Sequence, residues 1–382
     1  MISRIKELGR HYDYAIIITT LLLLAFGLIM VYSSSTIWAV MVLHHGSSTY
    51  FLKKQIIWSI FALFAGSFGM ILPYKMLKAF TKPITLVTVF LLVLVILVGK
   101  NSNGATSWLS IGGFTIQPSE IAKLSLIIYL ASVFSNKQAF ISDFKSGVLP
   151  PLFVIAVFFL LIAAQPDLGS AMIVAGIAAL MILCSGMRTK HLLILFGLGG
   201  GLVGVCFSFM LKGYQAKRFA AAYDPFSIAN SGGLQLINSY IAIASGGFAG
   251  KGLGNSIEKA GFLPEPHTDF IIAIISEELG VLGMSFVLLC LLFIVIRGIL
   301  VGIKCRDVFG SLLAIGISCF IGVQAIINLG AATGLLPVTG VTLPLVSYGG
   351  SSLVMTMFMI GIVVNISAFA NRKAKSIQQE VA

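Results

Sequence analysis

A chain of 382 residues that is 58% hydrophobic and only 10% charged, with a mean hydropathy of +1.03, is too apolar for a water-soluble domain and reads as an integral membrane protein. The formal charge of +12 does not point to nucleic acid as a partner, because Lys and Arg gather in the short segments between apolar runs, where the positive-inside rule expects them on the cytoplasmic side.

Splitting the chain at its polar and Gly/Pro-rich gaps predicts an all-α polytopic membrane protein with helices near 15–34, 55–73, 83–99, 119–136, 148–165, 168–187, 192–211, 270–297, 308–330 and 350–371. Both termini are then cytoplasmic, the whole of 1–382 is one membrane domain, and a large extracytoplasmic loop, 212–268, joins the seventh and eighth helices. The first apolar run follows a modestly basic start and lacks a small-residue cleavage site, so it is expected to be a retained span. Cys184, Cys206, Cys290 and Cys319 fall within spans and Cys305 in an inner loop, a pattern that implies no disulfide.

Three compact polar motifs sit at helix ends on the predicted outer face. In Gln117–Lys123 (QPSEIAK), Pro118 suits a first helical turn and Glu120 lies where the helix dipole favours a carboxylate. Lys123 shares its face and can pair with it, and can equally hold a phosphate or pyrophosphate. In Gln165–Ser170 (QPDLGS), Pro166 and Gly169 break a helical hairpin; Asp167 caps the second helix or contacts substrate.

The extracytoplasmic loop carries Arg218 in an amphipathic stretch, then Ser245–Gly254 (SGGFAGKGLG), which is either a flexible turn or a place where backbone N–H groups approach a phosphate. Phe262–Gly280 (FLPEPHTDFIIAIISEELG) follows. Glu265, His267 and Asp269 precede an apolar run, and Glu277 and Glu278 lie inside it, where a charge costs roughly 2.5 to 3.5 kcal/mol. Glu277, eight residues beyond Asp269, is expected to share its face toward the site, and Glu278 to brace a neighbouring helix. Gly334–Ser352 (GLLPVTGVTLPLVSYGGSS) holds too many Pro and Gly for a regular helix, so it is expected to wall a cavity, with Ser347 as a candidate substrate contact. His11, His44, His45 and His191 show no metal-ligand spacing.

Read in order, Asn103–Trp108 (NGATSW), PSEIAK, QPDLG, the long loop, PEPHTDFIIAIISEELG and GLLPVTGVTLPLVSYGGSS resemble the SEDS family of bacterial cell-wall proteins over nearly the whole chain. Thr342 makes the last motif more similar to the division-type and sporulation-type members than to the elongation type. Where the family often has basic residues before the Trp, this chain has Thr106 and Ser107, so no anion-binding role carries over there. The resemblance implies a peptidoglycan glycosyltransferase that polymerises lipid II at the outer face of the cytoplasmic membrane, at the division septum. It implies Asp269 as the essential carboxylate, and as partners a class B penicillin-binding protein transpeptidase and other division proteins.

Such a reaction needs a base for the acceptor hydroxyl, for which Asp269 is the candidate, and cations for the departing pyrophosphate, for which Lys123 and Arg218 stand nearest. Glu120, Asp167, Glu265, His267, Glu277 and Ser347 complete the candidate substrate-binding set. No cofactor is required, although a divalent cation, Mg or Mn, would assist the leaving group. The rival class is a flippase that moves the lipid-linked precursor without bond chemistry, against which the gathering of ionisable groups on one face argues.

Overall fold

The computed structural model describes residues 9–41, 47–102, 105–111, 114–136, 149–187, 214–229 and 233–381, together with 191, 193–195, 197, 199–201 and 204. The elements run α1 (Tyr14–Met41), α2 (Tyr50–Ile71), α3 (Tyr74–Ala79), α4 (Thr81–Val98), β1 (Lys100–Ser102), β2 (Ala105–Ile111), β3 (Phe114–Ile116), α5 (Pro118–Asn136), α6 (Leu149–Ala163), α7 (Leu168–Leu183), α8 (Tyr214–Tyr223), α9 (Leu234–Gly246), α10 (Ile271–Lys304), α11 (Val308–Ala332) and α12 (Gly350–Val381).

Long apolar runs become helices because lipid offers no partner for backbone N–H and C=O groups, which a helix satisfies within itself. Among the described residues, seven helices are long and apolar enough to span a bilayer, namely α1, α2, α4, α5, α10, α11 and the part of α12 up to Arg372; α6 and α7 are apolar but shorter. The expected helix at 192–211 lies largely outside the described residues. Apolar side chains cover the outside as well as the core: Phe64, Leu86 and Leu97 on α2 and α4 face outward, while the largely apolar interior also holds buried Gln324, Asn328 and Lys123. Helices α2 and α12 pack closely through small residues; a Cβ at Gly69 would stand 2.6 Å from the Phe358 carbonyl oxygen, so only glycine permits this approach.

The expectation of an all-α fold needs one correction. Between α4 and α5 the chain forms a three-stranded antiparallel sheet in the order β1-β2-β3, with Leu109 opposite Ile116 and Ile111 opposite Phe114. The backbone of β2 is tied to the α6–α7 junction by Thr106 N–H donating to the Gln165 carbonyl at 3.3 Å. These strands cap the end of the bundle where a segment too polar to be a helix in lipid can pair with itself.

The feature that organises the loop side of the bundle is a break in α10. Gly280 has φ 64° and ψ −158°, a left-handed conformation that side-chain-bearing residues avoid. An unbroken helix would bond Val281 N–H to the Glu277 carbonyl and Leu282 N–H to the Glu278 carbonyl. Here the glycine-rich loop enters the gap: Lys251 and Gly252 N–H donate to Glu277 and Glu278 carbonyls, each at 2.9 Å, while Val281 and Leu282 N–H donate to Gly247 and Phe248 carbonyls at 3.1 and 3.4 Å. Each of these four groups thereby finds a partner. The loop forms a turn in which Lys251 and Gly252 N–H are committed to α10 and Gly250 N–H to the Gly246 carbonyl.

Side chains lock the same joint. The Glu278 carboxylate, fully buried, accepts from Lys259 Nζ at 2.6 Å and from Ser33 Oγ of α1 at 2.7 Å, so it braces a neighbouring helix as expected. At the opposite end of the bundle, Arg297 Nε donates to Asp13 at 2.9 Å and Asp13 N–H to Ser367 Oγ, joining α10, α1 and α12. Replacing Lys259 by Met strands a buried carboxylate and is expected to lower stability by about 3 to 5 kcal/mol. The double variant Lys259→Met/Glu278→Gln should recover most of that loss in thermal melts of the purified protein.

Candidate active site

Four helices begin at one chamber. Its volume is about 460 Å³, and its wall includes Glu120 and Lys123 in the first turns of α5, Asp167 and Ser170 at the start of α7, Thr268 and Asp269 just before α10, and Gly350 to Ser352 at the start of α12. Each helix start carries N–H groups with no intrahelical partner and a partial positive charge, so the convergence makes the chamber receptive to anions.

Sequence spacing put Lys123 one turn beyond Glu120, and the two meet: Lys123 Nζ lies 2.8 Å from Glu120 Oε1, both side chains being almost wholly buried. Lys123 also reaches Gln324 Oε1 of α11 at 3.4 Å and lies over the Phe320 ring. Asp167 is the α7 cap, accepting from Ser170 N–H at 3.0 Å, while its second oxygen accepts from Gln117 Nε2 at 2.9 Å. A cap and a place in the chamber wall prove compatible, because helix start and cavity coincide.

Asp269 is 8% exposed and opens onto the chamber. Burial first, and then the negative charge of Glu265, push its carboxyl up from the ordinary range to about 6, against the opposing influence of the Thr268 hydroxyl, which donates to Asp269 Oδ1 at 3.0 Å, and of Arg218. Arg218, from α8, also lines the chamber and donates to the Val338 carbonyl at 3.2 Å. Glu265, between Pro264 and Pro266, has φ 46° in a turn closed by Thr268 N–H onto the Glu265 carbonyl. A non-glycine residue in that region is strained by about 1 to 3 kcal/mol. The two prolines restrict the backbone on both sides and help hold it there.

Three expected site residues stand outside the chamber wall. His267 is 3% exposed, with its ring 4.1 Å from the Phe51 ring and 5.4 Å from Tyr348; burial lowers its pKa to about 3, so it is neutral and a poor base. Ser347 points inward, its hydroxyl accepting from Leu343 N–H at 2.9 Å and shaping the Pro-rich segment. Glu277 is the clearest correction. It does not share a face with Asp269 toward the chamber but turns to the loop, meeting Lys251 Nζ at 2.8 Å and the N–H groups of Ile257 and Glu258 at 3.0 and 3.4 Å. The eight-residue extrapolation started from a residue that precedes the helix, which begins at Ile271.

Other wall residues were not singled out from sequence. All three tryptophans, Trp38, Trp58 and Trp108, line the chamber. Gln324 and Asn328, buried on α11, connect its walls; two amides four residues apart in an uncharged span were the available signal. Among the described residues no group of three or more His, Cys, Asp or Glu side chains is arranged to hold a metal ion.

Fold and chamber together define a multi-pass membrane protein with a polar, anion-receptive pocket at one end of its helix bundle. Residues 13–372 match the cell cycle protein family of FtsW, RodA and SpoVE, and the chain belongs to that family. It is 49% identical to the probable peptidoglycan glycosyltransferase FtsW of Bacillus subtilis, over 97% of this chain and 95% of that one. It is 41% identical to the stage V sporulation protein E of the same organism, over 94% and 97%. A solved chain from a peptidoglycan synthase complex that coordinates polymerization and crosslinking superposes with a TM-score of 0.77 at 26% identity, covering 94% of this chain and 98% of that chain.

Proposed function

We propose that this peptidoglycan glycosyltransferase polymerises lipid II with Asp269 as general base and with Lys123, Arg218 and the converging helix starts receiving the donor's pyrophosphate. The observation that carries this reading is a buried carboxyl, raised to about 6, in the same chamber as a buried lysine and four helix N-termini. The donor is α-linked and the glycan β-linked, so one inverting displacement suffices. The acceptor hydroxyl oxygen attacks the donor anomeric carbon, its proton passes to Asp269, and the bond to pyrophosphate breaks with the electron pair leaving on phosphate oxygen. Partial desolvation strengthens the cations' hold on that charge.

Glu120 and Asp167 set the anion-binding wall, and Glu265 tunes Asp269 and contacts sugar or a cation. Chemistry supplied by a divalent cation would be neutralisation of the leaving group. The described residues offer no cluster to hold one, so no step above runs through it. The wider arrangement is ten spans with both termini cytoplasmic, the loop at 212–268 outside between the seventh and eighth spans, and action at the division septum. A class B penicillin-binding protein crosslinks the strands and other division proteins accompany it. The relatedness to FtsW supports the division role, and a chamber confined to one end of the bundle favours surface chemistry over passage through the bilayer.

For topology, a cysteine at the exposed Ser227, in a background without native cysteines, is expected to react with an impermeant maleimide added outside intact cells; reaction from the cytoplasm alone would reverse the orientation. For the chemistry, Asp269→Asn should lower lipid II polymerisation by about two to four orders of magnitude while keeping insertion and partner binding. Because the base works ionised, activity should rise with pH through a midpoint near 6. Glu265→Gln removes a charge that disfavours the ionised form, so the midpoint should move to lower pH. Near-normal polymerisation by Asp269→Asn would overturn the assignment.

A further inference from the structure

Two amides on α11 join the candidate base and the candidate cation to one piece of backbone. Asn328 Nδ2 donates to the Asp269 carbonyl at 2.8 Å and to the Val341 carbonyl at 2.7 Å. Both neighbours are carbonyl oxygens, so this atom must be the amide nitrogen and both its hydrogens are committed. One turn earlier, Gln324 Oε1 accepts from Lys123 Nζ at 3.4 Å, while its Nε2 donates to the Thr342 carbonyl at 3.0 Å and reaches Ser352 Oγ at 3.4 Å. Asn328 and Gln324 are fully buried. Val341 and Thr342 are adjacent in the irregular Pro/Gly segment, and both belong to the chamber wall.

From this geometry we infer that Gln324 and Asn328 are positioning residues, which fix Asp269 and Lys123 relative to one another by tying both to the Val341–Thr342 backbone. The inference rests on the reading of Asp269 as base. Helix α11 is uninterrupted through this stretch, so residues four apart lie about 6 Å apart along one face. The two carbonyls they bind are successive units of one chain. A rigid helix and a non-helical strand of backbone thereby form two rails, with the amides as rungs. Val341 and Thr342 lie in a non-helical stretch, so the amides answer the needs of their carbonyls and set the chamber's dimensions in one arrangement. Neither amide belongs to the reacting groups. Each acts through another residue, Asn328 on the base side and Gln324 on the pyrophosphate side.

The test uses the full chain with its transpeptidase partner and purified lipid II as the probe. Asn328→Leu removes both donors at similar volume, and should lower kcat roughly 10- to 100-fold with KM changed less than about threefold, and displace the acid limb of the pH profile, since the Asp269 backbone is released. Gln324→Leu should leave the acid limb in place and raise KM for lipid II, and Gln324→Glu, which keeps an acceptor for Lys123 but sets an oxygen against the Thr342 carbonyl, should not restore it. Should Asn328→Leu fail to fold, Asn328→Ser, smaller and with one donor, carries the same comparison. Unchanged kinetics and pH profile in folded variants, activity lost only in step with folded protein, or a parent-like KM in Gln324→Glu would overturn the inference. If Asp269→Asn is inactive in the same assay while these variants are normal, the rungs fail and the base stands; if Asp269→Asn is active, the base reading itself fails.

Discussion

A helix broken inside a membrane leaves N–H and C=O groups that lipid cannot satisfy, and the break at Gly280 is tolerable only because another part of the chain fills it. The loop from Gly247 to Gly252 supplies two donors and two acceptors to the four groups released from α10. Much else on this side follows from that exchange. It docks the segment between α9 and α10 against the bundle, so that Lys251 and Lys259 can reach Glu277 and Glu278. It also makes the first part of α10 a separate short helix, held by the loop and, through Ser33, by α1, with Asp269 immediately ahead of its first turn.

The charges of this end of the molecule divide by what holds them. Glu277 and Glu278 are consumed by the joint and Asp167 by helix capping, while Glu120 is matched to Lys123. Asp269 differs in kind. Its neighbours oppose one another, with burial and Glu265 favouring the neutral acid and Arg218 and Thr268 the carboxylate. A group balanced in this way sits closer to neutrality than an ion-paired carboxylate and can take and return a proton at modest cost.

The helical part of the fold was legible because the membrane makes one demand that apolar sequence answers in one way. Helix starts at Pro118 and Leu168 and the cap at Asp167 were written in local turn chemistry. The sheet was not seen, since strands of three to seven residues give little room for a period of two. Gly112-Gly113 between Trp108–Ile111 and Phe114–Ile116 was nonetheless a hairpin signal. Glu120, Lys123, Asp167, Glu265 and Asp269, all in motifs at helix ends, line one chamber, whereas His267 of the same motif packs among aromatic rings. Glu277 faces away from the chamber, because its direction depends on where α10 begins and on a loop distant in sequence filling the break. Gln324 and Asn328 escaped notice for a related reason: the amide nitrogen of each donates to main-chain carbonyls of other segments, which leave no mark in side-chain chemistry.

The tryptophans have a spectroscopic consequence. Trp38, Trp58 and Trp108 come from α1, α2 and β2, lie far apart in sequence, and are the only indoles in the chain. An indole is a flat, rigid, apolar surface with one polar N–H at its edge. Every indole emitter in the protein therefore borders the same chamber. Intrinsic fluorescence excited at the red edge of protein absorption, where tyrosine contributes little, is a built-in reporter of that chamber's polarity, and the entry of any ligand can be followed by its colour and quenching without attaching any dye.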